Sequence, residues 1–387
     1  MLYPRFWKIC MKSGLIVFLL VGIASFVPVS VYAASRNMAA PLFSQQSRQQ
    51  DRSPGKDKLG PNNVANLQLK WSNDIGSPFW GVSSKPAVVR GVVYVNYFQH
   101  MYALNARTGE QVWASPIGTS LYSLFSSPAV VNGIVYIGSR DHNLYAFNAQ
   151  TGAQLWVAAT DGIIDSSPTV AHGIVYVGTK DLYAFNAQTG AQVWATSNQL
   201  YYSSPNVVHG IVYVGMGESL ATFDAQTGSQ LWLTAAGSPI VGTPAVDHGV
   251  VYTDSWDGLE AFNEQTGAQL WAAAGGSLLS SPVVVHGVVY VGSDDGNLYA
   301  DDARTGTQLW AAPVSGGITY SSPAVVNGVV FTGSESGILY AFDAQTGAQL
   351  WSTPTGNSIE SSPTVVNNIL YFGSDDGNLY AYGLPTA

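Results

Sequence analysis

The chain has 387 residues, a net charge of −9, and only 10% charged residues against 47% hydrophobic ones. A disordered chain has the opposite balance. Beyond Gly91 the only cations are Arg107, Arg140, Lys180 and Arg304, too few for a nucleic-acid footprint. The single cysteine, Cys10, excludes an intramolecular disulfide and any cysteine-rich metal centre.

Arg5, Lys8 and Lys12 precede an apolar run from Gly14 to Val29, and small residues surround Ala33. This order of basic, apolar and small residues is that of a secretory signal spanning 1–33, the alternative being an uncleaved membrane anchor. Both place the remainder outside the cytoplasm: secreted, periplasmic or on the cell surface. Cys10 lies before the apolar run, where it cannot be a lipoprotein's lipidated cysteine. Residues 34–60 are rich in Gln and Ser and read as a flexible linker.

From residue 61 to 387 the chain repeats itself. Thr-Gly-x-Gln-(Leu/Val)-Trp ends at Trp113, Trp156, Trp194, Trp232, Trp271, Trp310 and Trp351, and Trp71 stands one repeat upstream. A repeat of about 40 residues made of short strands and turns predicts propeller blades. Residues 321–351 predict four strands, A to D from inside to outside. Asn327-Gly328 supplies the positive φ angles of an A–B hairpin, and Asp343-Ala-Gln-Thr-Gly347 an Asx-type C–D turn. Pro128, Pro168, Pro205, Pro244, Pro282, Pro323 and Pro363 each follow a hydroxyl residue at the start of strand A. That strand is an edge on the central channel, where proline is tolerated, and the hydroxyls are expected at the channel mouth. The last unit ends after strand C, whereas Leu67–Trp71 offers only a D strand. The predicted fold is therefore all-β: an eight-bladed propeller of four-stranded antiparallel blades. The N-terminal strand completes the last blade and removes an open sheet edge.

The motif Ala-Phe-Asp343-Ala-Gln-Thr-Gly-Ala-Gln-Leu-Trp351 resembles the tryptophan-docking motif of the pyrroloquinoline-quinone (PQQ) repeat propellers. The resemblance implies the fold, with the eight tryptophans as docking residues. It leaves open two branches: PQQ- and calcium-dependent dehydrogenases of alcohols or sugars, and non-catalytic propellers such as BamB of the outer-membrane assembly machinery. Asn62–Trp71 looks like the leading strand of the dehydrogenases. Against that branch stand the lack of their adjacent cysteine pair, the minimal blades, and the absence of an assembled set of the about 6–8 oxygen ligands calcium takes.

Antiparallel connection puts A–B and C–D turns on one face and B–C and D–A loops on the other. His172, His209, His248 and His286 each precede a glycine on the first face and read as turn residues rather than metal ligands. The second face carries the candidate binding residues Phe79, Trp80, Tyr122, Phe125, Asp165, Tyr201, Tyr202, Trp256, Tyr320 and Glu360, exposed aromatics being interface signals. Asp165 and Glu360 would make an acid/base pair only across a narrow channel mouth, and otherwise read as solvated loop carboxylates. The Asp-Asp-Gly-Asn runs at 294–297 and 375–378 read as hairpin turns. Asp301 stands where other blades have Phe147, Phe185, Phe223, Phe262 and Phe342, and a carboxylate between blades is costly unless paired. No functional reason for it follows from the sequence. The expectation is a monomeric, non-catalytic extracytoplasmic propeller that binds another envelope or extracellular protein, with neither cofactor nor metal. The alternatives are a minimal PQQ- and calcium-dependent dehydrogenase, or a carbohydrate binder.

Overall fold

A computed structural model describes residues 58–75, 81–118, 126–197, 203–276 and 280–385. These form eight four-stranded sheets. Blade 1 runs from Ala87 to Pro116, blade 2 from Ala129 to Ala159, blade 3 from Thr169 to Ala195, and blade 4 from Asn206 to Ala235. Blade 5 runs from Ala245 to Ala274, blade 6 from Val283 to Pro313, and blade 7 from Ala324 to Pro354. Blade 8 joins Thr364–Gly383 to the N-terminal strand Gln68–Asp74, which pairs antiparallel with Asn378–Gly383. The ring is thus closed by the two ends of the propeller. The only helical element among the described residues is the 3-10 turn Val64–Asn66, and no helix there is long and apolar enough to cross a membrane.

Turn chemistry explains the blade outline. The A–B hairpins place two residues at positive φ, as at Asn132 (51°) and Gly133 (80°), the geometry that suits the right-handed twist of paired strands. His172, His209, His248 and His286 occupy the first of these positions, with φ between 46° and 53°. In the C–D turns an Asn or Asp side chain receives two backbone N–H groups: Asn148 Oδ1 accepts from Gln150 and Thr151 at 3.0 Å each.

The core lies between blades. Strands B and C are buried on both faces, and Phe147 of blade 2 packs with Met101, Ala103 and Trp113 of blade 1. Each docking tryptophan from Trp71 to Trp310 lies over the Thr-Gly glycine of the next blade. At Gly190 a Cβ would come within 2.7 Å of the Trp156 ring, so this glycine is required both by φ (72°) and by contact. One backbone carbonyl then serves two blades. Ala187 O accepts from Trp156 Nε1 (3.2 Å) and from Tyr136 Oη of strand B (3.0 Å). The same pair of donors converges on Ala106, Ala149, Ala225, Ala303 and Ala344.

Candidate functional site

Strand A of each blade faces the channel, and there the hydroxyl residues link blade to blade. The backbone N–H of Lys85 donates to Ser127 Oγ (2.9 Å), that of Ser127 to Ser167 (2.9 Å), and that of Ser167 to Ser204 (2.8 Å). Across the channel Thr243 donates to Ser281 (2.9 Å), Ser281 to Ser322 (3.0 Å) and Ser322 to Ser362 (3.0 Å). Each hydroxyl oxygen is held as an acceptor. Lys85 replaces the hydroxyl of the eighth blade step, and burial lowers its ammonium pKa below the usual lysine value.

A second line of serines fixes strand A to strand B: Ser126, Ser166, Ser203, Ser280 and Ser321 accept from Gly138, Gly178, Gly215, Gly292 and Gly333 at 2.7–3.0 Å. Blade 5 exchanges the two residue types. Gly242 takes the serine position and Asp254 the glycine position, and Asp254 Oδ2 accepts from the Gly242 N–H at 2.9 Å. A Cβ on Gly242 would come within 2.3 Å of the carboxylate. Asp254 is 0% exposed, its Oδ1 has no partner, and burial pushes its pKa up to about 7.

The B–C and D–A loops gather carboxylates at the junction of blades 7, 8 and 1. Asp375 accepts from Ser83 Oγ (3.3 Å) and Ser358 Oγ (2.6 Å). Burial, then the neighbouring charge of Asp375, raises Glu360 to about 7. Tyr320, 45% exposed, is raised by burial and then by Glu360 and Glu335, which places all three together. Trp256 stands on the same face in the B–C turn of blade 5, 55% exposed.

Asp165 is not part of this corner. It forms a two-pronged ion pair with Arg140 (Nε–Oδ1 2.6 Å, Nη2–Oδ2 3.0 Å), and its side chain is nearly buried. The sequence reading of Asp165 and Glu360 as solvated loop carboxylates therefore gives way. Asp165 is taken up by a guanidinium whose fork matches the carboxylate, and Glu360 is partly desolvated beside another acid. Phe79, Trp80, Tyr122, Phe125, Tyr201 and Tyr202 lie outside the described residues, as do the signal and nearly all of the linker. Sequence reasoning missed Glu335 and Lys85, and took Asp375 only as part of a hairpin turn. Lys85 left a signal, as the one cation in a column of serines and a threonine.

A resident calcium, which a dehydrogenase of this fold would use, finds no fit in these side chains. Among the described residues no group of three His, Cys, Asp or Glu side chains, the acidic corner included, is arranged so that it could hold a metal ion, let alone supply the about 6–8 oxygens that calcium takes.

The geometry defines an eight-bladed propeller of minimal blades with one regular and one irregular loop face. The profile of the family described as "Outer membrane protein assembly factor BamB" matches residues 97–201 and 178–386, and the chain belongs to that family. BamB from Moraxella catarrhalis superposes with a TM-score of 0.71 at 20% identity, over 82% of this chain and 99% of that one. The quinohemoprotein alcohol dehydrogenase ADHIIG from Pseudomonas putida HK5 gives 0.71 at 17% identity, covering 88% of this chain and 79% of its own. A europium-containing methanol dehydrogenase gives 0.72 at 14%, over 85% and 95% respectively. At these identities the likeness is one of fold alone. No curated protein sequence matches.

Proposed function

We propose that the protein is a non-catalytic binding propeller of the cell envelope, docking a partner protein on its D–A and B–C loop face. The observation that carries this reading is the contrast between the two loop faces. One repeats the same hairpin and Asx turns in blade after blade. The other exposes Trp256 and Tyr320 and concentrates Glu335, Glu360 and Asp375 in one corner. An exposed aromatic beside clustered acids, Glu360 among them partly desolvated, is the surface that a partner with apolar and basic side chains would cover. Membership of a family described as an outer membrane assembly factor supports the envelope location and a protein partner.

The test replaces Tyr320, Trp256 and, on the opposite face, Gln150 one at a time with a photo-crosslinking amino acid in the expressing cell. Discrete adducts at Tyr320 and Trp256 but not at Gln150 are expected. Adducts confined to Gln150, or none at any site, would reject the face. The competing reading, a PQQ-dependent dehydrogenase, is tested by adding PQQ and calcium and following dye reduction with alcohols and aldoses; steady turnover would replace the binding reading.

A further inference from the structure

The strand C position held by Phe147, Phe185, Phe223, Phe262 and Phe342 is filled in those blades by a buried ring facing the preceding blade. Blade 6 has Asp301 instead, and the lost volume is not refilled. A cavity of about 160 Å³ stands between blades 5 and 6, away from the central channel. Leu259, Ala273 and Val291 form apolar walls, Asp301 points in, and Gly275 and Gln308 lie at the exposed rim. Asp301 is 5% exposed. No hydrogen bond or ion pair reaches its carboxylate among the described residues, and burial alone raises it to about 6. Tyr299, on the same strand face, does not serve it: its hydroxyl donates to Asp295 Oδ2 at 2.7 Å.

We propose that this cavity is a binding site for a small organic cation, an ammonium group on a short apolar stem, with the Asp301 carboxylate as its counter-ion. The chemistry selects this class by elimination. An anion would meet a buried carboxylate. A neutral apolar molecule would leave that carboxylate desolvated and unpaired, which opposes its binding. A bare divalent ion would find one carboxylate and one amide in place of the about 6–8 oxygens calcium requires. An alkylammonium ion satisfies both halves of the site, its charge against Asp301 and its stem against Leu259, Ala273 and Val291. The volume suits about half a dozen non-hydrogen atoms. The same group could arrive as a free amine or as a lysine side chain of another protein.

The full-length protein is titrated calorimetrically with n-butylammonium chloride, with sodium chloride, n-butanol and sodium butyrate as controls. Saturable binding of one equivalent of n-butylammonium and of none of the controls is expected. Asp301→Asn, which keeps the shape and removes the charge, should weaken it by about ten-fold or more. Asp301→Phe, which restores the residue of five other blades, should abolish binding and raise the melting temperature. Methyl NMR of the unmodified protein locates the ligand independently of any variant, with shifts expected at Val291 and Leu259. Nα-acetyl-lysine methylamide distinguishes the sources: competition with n-butylammonium opens the site to a lysine side chain, and exclusion restricts it to free amines. Equal binding by wild type and Asp301→Asn, shifts elsewhere than Val291 and Leu259, or no saturable binding by the folded wild type would overturn the proposal and leave the cavity a packing defect.

Discussion

Seven of the eight blade interfaces are built alike, and the one between blades 7 and 8 is not. In six of the seven, a tryptophan Nε1 and a tyrosine hydroxyl from one blade share a carbonyl in the next blade's C–D turn. In the seventh, Trp232 uses the Glu264 carbonyl and Tyr213 the Glu264 side chain. Blade 8 has no C–D turn, because its C and D strands come from opposite ends of the propeller. Blade 7, which faces it, has Phe331 where the others have tyrosine, and Trp351 packs edge-on against Tyr382 at 5.3 Å. Leu59, Val64 and Leu67 fill the place of the missing turn. The donor is deleted where the acceptor is absent. Blade 5 shows the same economy in its exchange of serine and glycine for Gly242 and Asp254. These two departures from the repeat come as compensating pairs, whereas Asp301 is not compensated, and it is there that a ligand is proposed.

Breaking the seam should have the largest effect. Deleting residues 61–72 removes Val64, Leu67 and most of the strand that pairs with Asn378–Gly383, exposing a sheet edge. Size-exclusion chromatography should show aggregates, and limited proteolysis rapid cleavage; an unchanged melting transition would contradict the closure. A regular interface is broken next by Trp194→Ala, which empties the space over Gly228 and removes one of the two donors to Ala225. The expected cost is about 3–5 kcal/mol in denaturant melts, and a loss below 1 kcal/mol would show that docking adds little.

How much of this was readable in the sequence depends on whether it is local. The x-Gly hairpins and Thr-Gly turns were legible because positive φ admits few residue types, so His172 and His286 could be assigned as turn residues without coordinates. Blade number and closure followed from counting strands. The acidic corner was not legible. Glu335 and Asp375 come from B–C turns of different blades and Glu360 from a D–A loop, and Ser83 reaches Asp375 only because the ring closes. Asp165 was misread because Arg140, in the B–C turn of blade 2, is 25 residues away in sequence. The cavity at Asp301 was half-legible: the odd residue was visible, but whether neighbours would refill the space was not.

The exchanged pair in blade 5 makes stability depend on pH in a way the serine–glycine blades do not. Asp254 titrates at 3.8 when unfolded and at about 7 when folded, so the folded state holds a proton that the unfolded state releases. The contribution of Asp254 to stability is therefore fullest below about pH 4, falls as pH rises through this window, and levels off above about 7. Glu260, raised to about 7, and Glu360 act in the same direction. Asp224 and Asp302, lowered by hydrogen bonds from Thr227 and Thr305, act oppositely and below pH 3.8. The melting temperature should thus fall between about pH 4 and pH 7, and less steeply in Asp254→Asn. An identical slope in the variant would assign the effect to other groups.

The smallest effect tests the pairing of donor and acceptor most directly. If the tyrosine of strand B is retained for its shared carbonyl, adding it where the carbonyl is missing should harm the protein. Phe331→Tyr places a hydroxyl among Val64, Leu67 and Phe372, and an unpaired buried hydroxyl costs about 1–3 kcal/mol. The reverse change in a regular interface, Tyr136→Phe, loses one of two bonds to Ala187 while keeping the ring, at about 0.5–1.5 kcal/mol. The two substitutions are chemical opposites, yet both should lower the urea midpoint. A gain in stability from Phe331→Tyr would mean that the seam contains an acceptor after all, and that phenylalanine is there only for packing.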